Sequence, residues 1–562
     1  MNRADWLPKS VLALRDYNAQ KFTADLIAGV TVGLVALPLA MAFAIAAGAP
    51  PEAGLYTAVV AGFTISALGG SRCQIGGPTG AFVVIIFGIL ARYGENGLLV
   101  CTLMAGAILV LLGVTGLGIA VKFIPRPVIV GFTNGIAILI ASTQIKDFLG
   151  LRTGPVPGDF VGRMRVLAEA AGSVSGRATL LAACALAVIL LTKRLAPKVP
   201  GYIVALVAGT LLVFALKLPV ETLGTRFGGI PAGFPRFRVP VFDYHIVRTM
   251  VSPAITIALL GAIESLMSAV VADRMSGDRH NPGVELVAQG VANILSPLFG
   301  GLPATGAIAR TATNIRSGAQ TPVAGMIHAL TVLAVLLFAA PLARFIPLAV
   351  LSAILMVVCY NMGEWREVPE ILTLPKLEVG VWATTLLLTV FTDLTVAVEA
   401  GMILAALVFI RRVTETTTVS RVTEEDVERD QVHVLQGKLV PDYAAVFRIH
   451  GPFLFGSTEK LDEIRAQLAQ LPTVVVIRLR NTTAIDSTGL QALERLADEV
   501  RASGRTLVFC GARAQPAKLM LQAEFLEHVG RENICANISH GLARAKVIYE
   551  AAQERAELAP SY

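Results

Sequence analysis

The sequence predicts an all-α polytopic membrane protein followed by a small cytoplasmic α/β domain. Of 562 residues, 54% are hydrophobic and only 15% charged, whereas ordinary globular domains carry about a quarter charged residues. The mean hydropathy is +0.67. Charges are sparse from Asp25 to Ile410 and dense from Arg411 to Tyr562, and beyond Arg412 the long apolar runs give way to short strands alternating with helical stretches. These shifts divide the chain into a polar N-terminal segment (1–24), a membrane domain (25–411), a linker (412–442) and an α/β domain (443–555).

A helix needs about 20 apolar residues to cross roughly 30 Å of hydrocarbon. Apolar runs predict fourteen spans, near 26–47, 54–69, 78–92, 97–120, 127–147, 178–195, 200–218, 249–272, 285–299, 304–315, 322–340, 346–361, 378–392 and 394–410. An even count puts both termini on one side. The short loops on that side carry Arg72, Lys122, Arg126, Lys193, Arg194, Lys198, Arg274, Arg279, Arg411 and Arg412. The excess of positive charge in cytoplasmic loops makes that side the cytoplasm, and a multi-pass inner-membrane protein the expectation. It also explains the net charge of +7 without nucleic acid. Residues 1–24 lack a signal-peptide layout, so the first span is expected to stay as an anchor.

In the soluble part, Tyr443–Ile449, Val474–Leu479 and Thr506–Cys510 read as strands. Helices are expected over Thr458–Leu471 and from near Ser487. That alternation gives a small α/β domain. The six cysteines, Cys73, Cys101, Cys184, Cys359, Cys510 and Cys535, are scattered without the spacing of a disulfide framework or a zinc site. No nucleophile–base constellation, phosphate loop or metal-ligand cluster is present, so neither an enzyme, a cofactor nor a metal is expected.

Two stretches interrupt the apolar spans with glycine, proline and threonine: GGPTGAFVV (Gly76 to Val84) and LPATGAIAR (Leu302 to Arg310). Each follows a Gly-Gly pair, Gly69–Gly70 or Gly300–Gly301, and each contains Thr-Gly-Ala, at Thr79–Gly80–Ala81 and Thr305–Gly306–Ala307. Broken segments at corresponding places in two halves point to an inverted-repeat transporter with its site at the bilayer midplane. A helix starting there presents unpaired N–H groups and the positive end of its dipole, and two such starts facing each other make an anion site. A lone segment of this kind more often only kinks a span; the matched pair favours the site. Arg310 adds charge to that site or, alternatively, snorkels toward Arg316.

Glu264, in GAIESLMSAVV (Gly261 to Val271), has no adjacent lysine or arginine. A lone carboxyl in a span can take up and release a proton, which suits a proton-coupling group; a permanently protonated helix–helix contact is the plainer reading. Glu399 is a rival acid that lies away from the broken segments, and His328 reads as a packing residue near a span end.

These residues carry a resemblance. ALPLAMAFAIAAGAPPEAGLY (Ala36 to Tyr56), GGPTGAFVV, GFTNGIAI (Gly131 to Ile138), GAIESLMSAVV, LPATGAIARTATNIRSGA (Leu302 to Ala319) and IDSTGL (Ile485 to Leu490) together resemble the SulP anion transporters with a C-terminal STAS domain. These are prokaryotic relatives of the mammalian sulfate/anion exchangers and prestin, and the resemblance spans about residues 20–555. It implies two inverted seven-span repeats. Spans 1–4 and 8–11 would form a mobile core and spans 5–7 and 12–14 a gate, in a homodimer working by an elevator-like shift. It implies an anion between the starts of spans 3 and 10, near Phe43, Thr79, Gly80, Ala309 and Arg310. Sodium-coupled bicarbonate members of the family carry Asp at the Glu264 position and Thr close to Ile308; Glu and Ile here disfavour sodium.

The segment from span 8 to span 10 looks closest to the proton-coupled C4-dicarboxylate transporters of the family, with sulfate also compatible. The partners implied are therefore a small inorganic or dicarboxylate anion, a coupling proton, the bilayer, and a regulatory protein at the STAS domain. A bicarbonate transporter, sodium- or proton-coupled, is the alternative, and a channel or voltage-responsive motor is the rival class. In the motif Asp486–Ser487–Thr488–Gly489, Asp486 or Ser487 can cap the following helix. Stand-alone relatives of this domain are phosphorylated at the equivalent serine; capping is the favoured reading.

Overall fold

The computed structural model describes residues 6–116, 125–196, 199–231, 233–392, 394–422, 440–522 and 525–557. Lys122 and Lys198, the end of the 97–120 span and residues 423–439 of the linker lie outside the described residues. The chain forms two compact units, Met1–Ala405 and Ala406–Tyr562.

The first unit is helical. Its principal helices begin with α1 (Ala19–Ala46) and α2 (Pro51–Leu68). A two-residue strand, β1 (Gly76–Gly77), leads through a short turn at Gly80–Phe82 into α3 (Val83–Thr115). Next come α4 (Arg126–Leu149), α5 (Gly176–Leu195), α6 (Gly201–Leu216) and α7 (Tyr244–Ser276). After α8 (Pro282–Leu298) a second two-residue strand, β2 (Thr305–Gly306), leads into α9 (Ile308–Arg316). The rest are α10 (Val323–Phe338), α11 (Leu348–Met362), α12 (Lys376–Phe391) and α13 (Leu394–Thr416), which runs on into the second unit.

Among the described residues, five helical segments are long and apolar enough to cross a membrane by themselves: Ala19–Ala46, Gly80–Thr115, Arg126–Leu149, Gly176–Leu195 and Tyr244–Ser276. Runs 78–92 and 97–120, read as separate spans, meet within α3, whose helical path is interrupted between them at Gly94 (φ 65°, ψ −169°). Glycine tolerates that conformation without a Cβ penalty.

Lipid tails are as apolar as leucine, so helices in a bilayer associate by close packing rather than hydrophobic exclusion. Accordingly, a Cβ on Gly106 of α3 would lie 2.7 Å from the carbonyl oxygen of Gly290 on α8, and one on Gly113 would lie 2.8 Å from that of Gly283. Two buried carboxylates tie the loops between these helices. Asp25, placed by the sequence reading just outside the first span, is fully buried and accepts bonds from Gln320 N (2.7 Å) and Thr321 N (3.0 Å) ahead of α10. Glu285 accepts from Gly70 N (2.9 Å) and Ser71 N (3.1 Å), fixing the Gly-Gly turn that precedes β1. His328 is fully buried, in the second turn of α10.

The second unit has a five-stranded sheet in the order β3 (Thr418–Arg421), β4 (Ala444–His450), β5 (Val474–Asn481), β6 (Thr506–Cys510) and β7 (Ile534–Cys535). β3 is antiparallel to β4 and the other pairings are parallel. Residues 418–421 fall in the stretch read as linker, yet they form this edge strand, with Val419 buried. Four residues between charged neighbours are too short a signal to stand out. α14 (Ser487–Ala502) and α15 (Ala514–Gln522) belong to one face, where Phe447, Ile477, Leu493 and Phe509 pack. α16 (Ile538–Glu557) covers the other, over Val446, Val476 and Val508.

Candidate functional site

The two glycine-rich interruptions meet. β1 and β2 pair antiparallel, Gly76 facing Gly306 and Gly77 facing Thr305, and Ala307 N extends the ladder to Ile75 O at 2.8 Å. The turn after Thr79 and the start of α9 after Ala307 therefore lie on either side of this short ribbon. Neither start has a side-chain cap, so their first N–H groups take no side-chain acceptor.

The two Thr-Gly-Ala motifs are placed differently: Thr79 follows β1, whereas Thr305 and Gly306 lie within β2 itself. Thr305 is not at a helix start: it is fully buried in β2, its hydroxyl 2.7 Å from Ser265 Oγ and donating to Gly261 O at 3.1 Å.

Around the starts, a Cβ on Gly80 would lie 3.0 Å from Met362 Sδ and 3.2 Å from both Ile140 Cδ1 and Phe43 Cε1. Phe43 of α1 thus packs against the first start, together with α4 and α11. Ala81 and Ala307 are buried, while Ala309 is exposed beside exposed Ile308. The first turn of α9 is therefore accessible within an otherwise closed neighbourhood. Arg310 is only 3% exposed and does not snorkel. Its Nη2 donates to Pro78 O at 2.5 Å, and its Nη1 has no partner among the described residues. Gly77 (φ 149°) makes room for it, since a Cβ there would lie 2.7 Å from Nη1. Glu264, half-buried on α7, accepts a bond from Thr79 Oγ1 at 3.1 Å. One carboxylate, one guanidinium with a free N–H, a hydroxyl and two uncapped helix starts thus converge, an arrangement suited to a small anion. Glu399 is exposed and accepts from Ser252 Oγ at 3.1 Å, away from this group.

Residues 22–385 match the sulfate permease family and residues 438–540 the STAS domain. A putative sulfate transporter of Bacillus subtilis, YvdB, is 42% identical over 522 residues, 92% of this chain and 97% of that protein. The chain belongs to the sulfate permease family. This permease is also 30% identical to the bicarbonate transporter BicA of Picosynechococcus, over 90% of its own length and 91% of the relative's. Its fold is similar to that of the murine Slc26a9 anion transporter, solved in the inward-facing state, with a TM-score of 0.86 at 18% identity, covering 97% of this chain and 95% of that one. The fold class read from the sequence, a helical membrane domain of this family with a C-terminal STAS domain, is the one observed.

Several residues that position the site escaped the sequence reading. On α7 of the permease, Ser265 Oγ accepts from Gly306 N (3.1 Å), and Ser268 Oγ lies 3.1 Å from Thr311 Oγ1, which itself accepts from Ile75 N at 3.0 Å. On α8, Asn293 brackets Ala304 with two 2.8 Å bonds. Ser265 and Ser268 sit one turn apart on the Glu264 helix, a spacing visible in GAIESLMSAVV; Ile140 and Met362 left no signal, being apolar residues in apolar spans.

In the STAS domain, Asp486 caps α14, accepting from Gly489 N at 2.7 Å and also from Phe455 N at 3.0 Å. Ser487 and Thr488 are exposed. Gly489 is buried, and a Cβ there would lie 3.0 Å from Phe453 Cδ1. Cys510, the last residue of β6, is buried on the face that α16 covers, which pushes its thiol up to about 12.

Proposed function

We propose that this permease is a secondary active transporter that takes up a small anion, a C4-dicarboxylate of the succinate or fumarate type or sulfate, together with protons. The observation that carries this reading is the convergence of Arg310, Glu264 and Thr79 on two uncapped helix starts held by the β1–β2 ribbon. With Glu264 ionised, its charge offsets that of Arg310 and it occupies the Thr79 hydroxyl. A proton on Glu264 leaves Arg310 uncompensated and weakens that hold, so an anion and a proton are bound together more favourably than either alone. The partly exposed first turn of α9 is the approach to the site. Movement of the helices carrying the site against the rest, in an elevator-like shift, would deliver the anion across the inner membrane, with both termini and the STAS domain in the cytoplasm and two copies forming a homodimer.

The boundaries 25–411 and 443–555 remain our division of transport and regulatory parts, with β3 now added to the latter; a partner protein is expected at the STAS domain. The test is uptake into proteoliposomes of labelled succinate, fumarate, sulfate and bicarbonate at two pH values. Succinate, fumarate or sulfate should accumulate under an inward proton gradient without sodium. Uptake of bicarbonate alone, or uptake that requires sodium, would sink the proposal.

A further inference from the structure

The first unit carries an apolar cavity apart from the anion site. It is a groove of about 480 Å³ between α6 on one side and α1 with the end of α10 on the other, lined by Met41, Leu206, Leu211, Phe214, Leu336 and Ile346 among others. That volume lies within the ~300–1,000 Å³ usual for small-molecule sites. The one hydroxyl in its wall, Thr210 Oγ1, is spent on Leu206 O at 2.7 Å.

One end of the groove is bounded by aromatic rings, with Arg344 lying against one of them. Phe214 and Phe345 meet edge to face there, with centroids 5.3 Å apart, and the Arg344 guanidinium lies 5.6 Å from the centre of the Phe345 ring. The backbone at this end is fixed by Gly224 N to Arg344 O (2.8 Å) and Leu223 N to Ile346 O (2.9 Å). Lys217, with φ 46°, caps α6 one residue past its end. Both cations are exposed, and among the described residues neither forms an ion pair, because Arg226 already takes the neighbouring carboxylates Asp147 and Glu221.

We infer that this groove binds an anionic phospholipid, one acyl chain lying along α6 and the phosphate meeting Arg344 and Lys217. Bulk lipid offers a chain the same apolar surroundings, so chain burial alone confers little preference. The selection falls to the headgroup. Each surface cation favours an anionic lipid by about fivefold, so two favour it by roughly 25-fold over a zwitterionic lipid of the same chains.

The test uses purified full-length protein, stripped of lipid in detergent and given equal amounts of palmitoyl-oleoyl phosphatidylglycerol and phosphatidylcholine. Retained lipid is counted by native mass spectrometry. Wild type should retain phosphatidylglycerol in roughly 25-fold preference. In Lys217→Gln/Arg344→Gln the ratio should fall close to one. Leu211→Trp, which fills the groove, should lose both lipids, and Leu211→Gln replaces it where the tryptophan variant does not fold. Equal retention by wild type, a preference that survives the double substitution, or unchanged retention in the Leu211 variants would overturn the inference. Inorganic phosphate should not displace the lipid; displacement would mean a headgroup-only site and would equally overturn it. Lipid retention is read without transport, so these outcomes do not bear on the anion reading.

Discussion

Replacing Arg310 with alanine tests the site where its parts are most unequal. Arg310 is 3% exposed, with Nη2 on Pro78 O and Nη1 free among the described residues. A charge-assisted contact from that free N–H to an anion is worth about 1.5–3 kcal/mol, or roughly ten- to a hundredfold in affinity. Arg310→Ala should weaken anion binding by that factor. It also strips Pro78 of its donor, and an unpaired buried carbonyl costs about 1–3 kcal/mol of stability. The variant should therefore melt lower yet remain folded. Calorimetric titration of the transported anion into purified protein reads the affinity, and a melting curve checks the fold. Arg126→Ala is the control, since Arg126 is largely exposed and paired with Glu367 and Glu370. Its loss should leave binding within about twofold, as expected of exposed pairs. If folded Arg310→Ala binds as tightly as wild type while Arg126→Ala binds far more weakly, the site lies elsewhere.

Three further outcomes follow from the same geometry. Glu264→Gln keeps a hydrogen-bonding group opposite Thr79 but cannot exchange a proton, so anion binding should persist and pH-driven accumulation in vesicles should vanish. Gly80→Leu should block transport in the same vesicles, because a Cβ there already lies 3.0–3.2 Å from Met362, Ile140 and Phe43. Asp486→Ala should destabilise a 417–557 fragment by about 0.5–2 kcal/mol through loss of the α14 cap, whereas Ser487→Ala should cost it little, as thermal melts followed by circular dichroism would reveal.

Much of the fold was legible because the bilayer imposes its own grammar: apolar runs of spanning length, glycine-rich breaks and the abrupt return of charge at Arg411. Glu264 and Arg310 stood out because an ionisable group among apolar residues is expensive. The finer register did not. Thr-Gly-Ala recurs in both halves, yet Thr79 precedes the first start while Thr305 lies within β2. Identity of letters carries no information about which N–H faces which carbonyl. The buried roles of Asp25 and Glu285 were hidden for a related reason. Each lies at the edge of an apolar run, where a carboxylate normally meets water, and only the loop folded over it reveals what it holds. Strand β3 was lost because its partner β4 is distant in sequence.

Coupling between anion and proton is the central claim, and vesicle accumulation measures it most directly. Wild-type protein should concentrate labelled succinate, fumarate or sulfate above its equilibrium level when the outside is acidified, with saturable kinetics. Glu264→Gln should only equilibrate the same anion. Accumulation that ignores the pH gradient, or flux that rises without saturation and never exceeds equilibrium, would contradict the account.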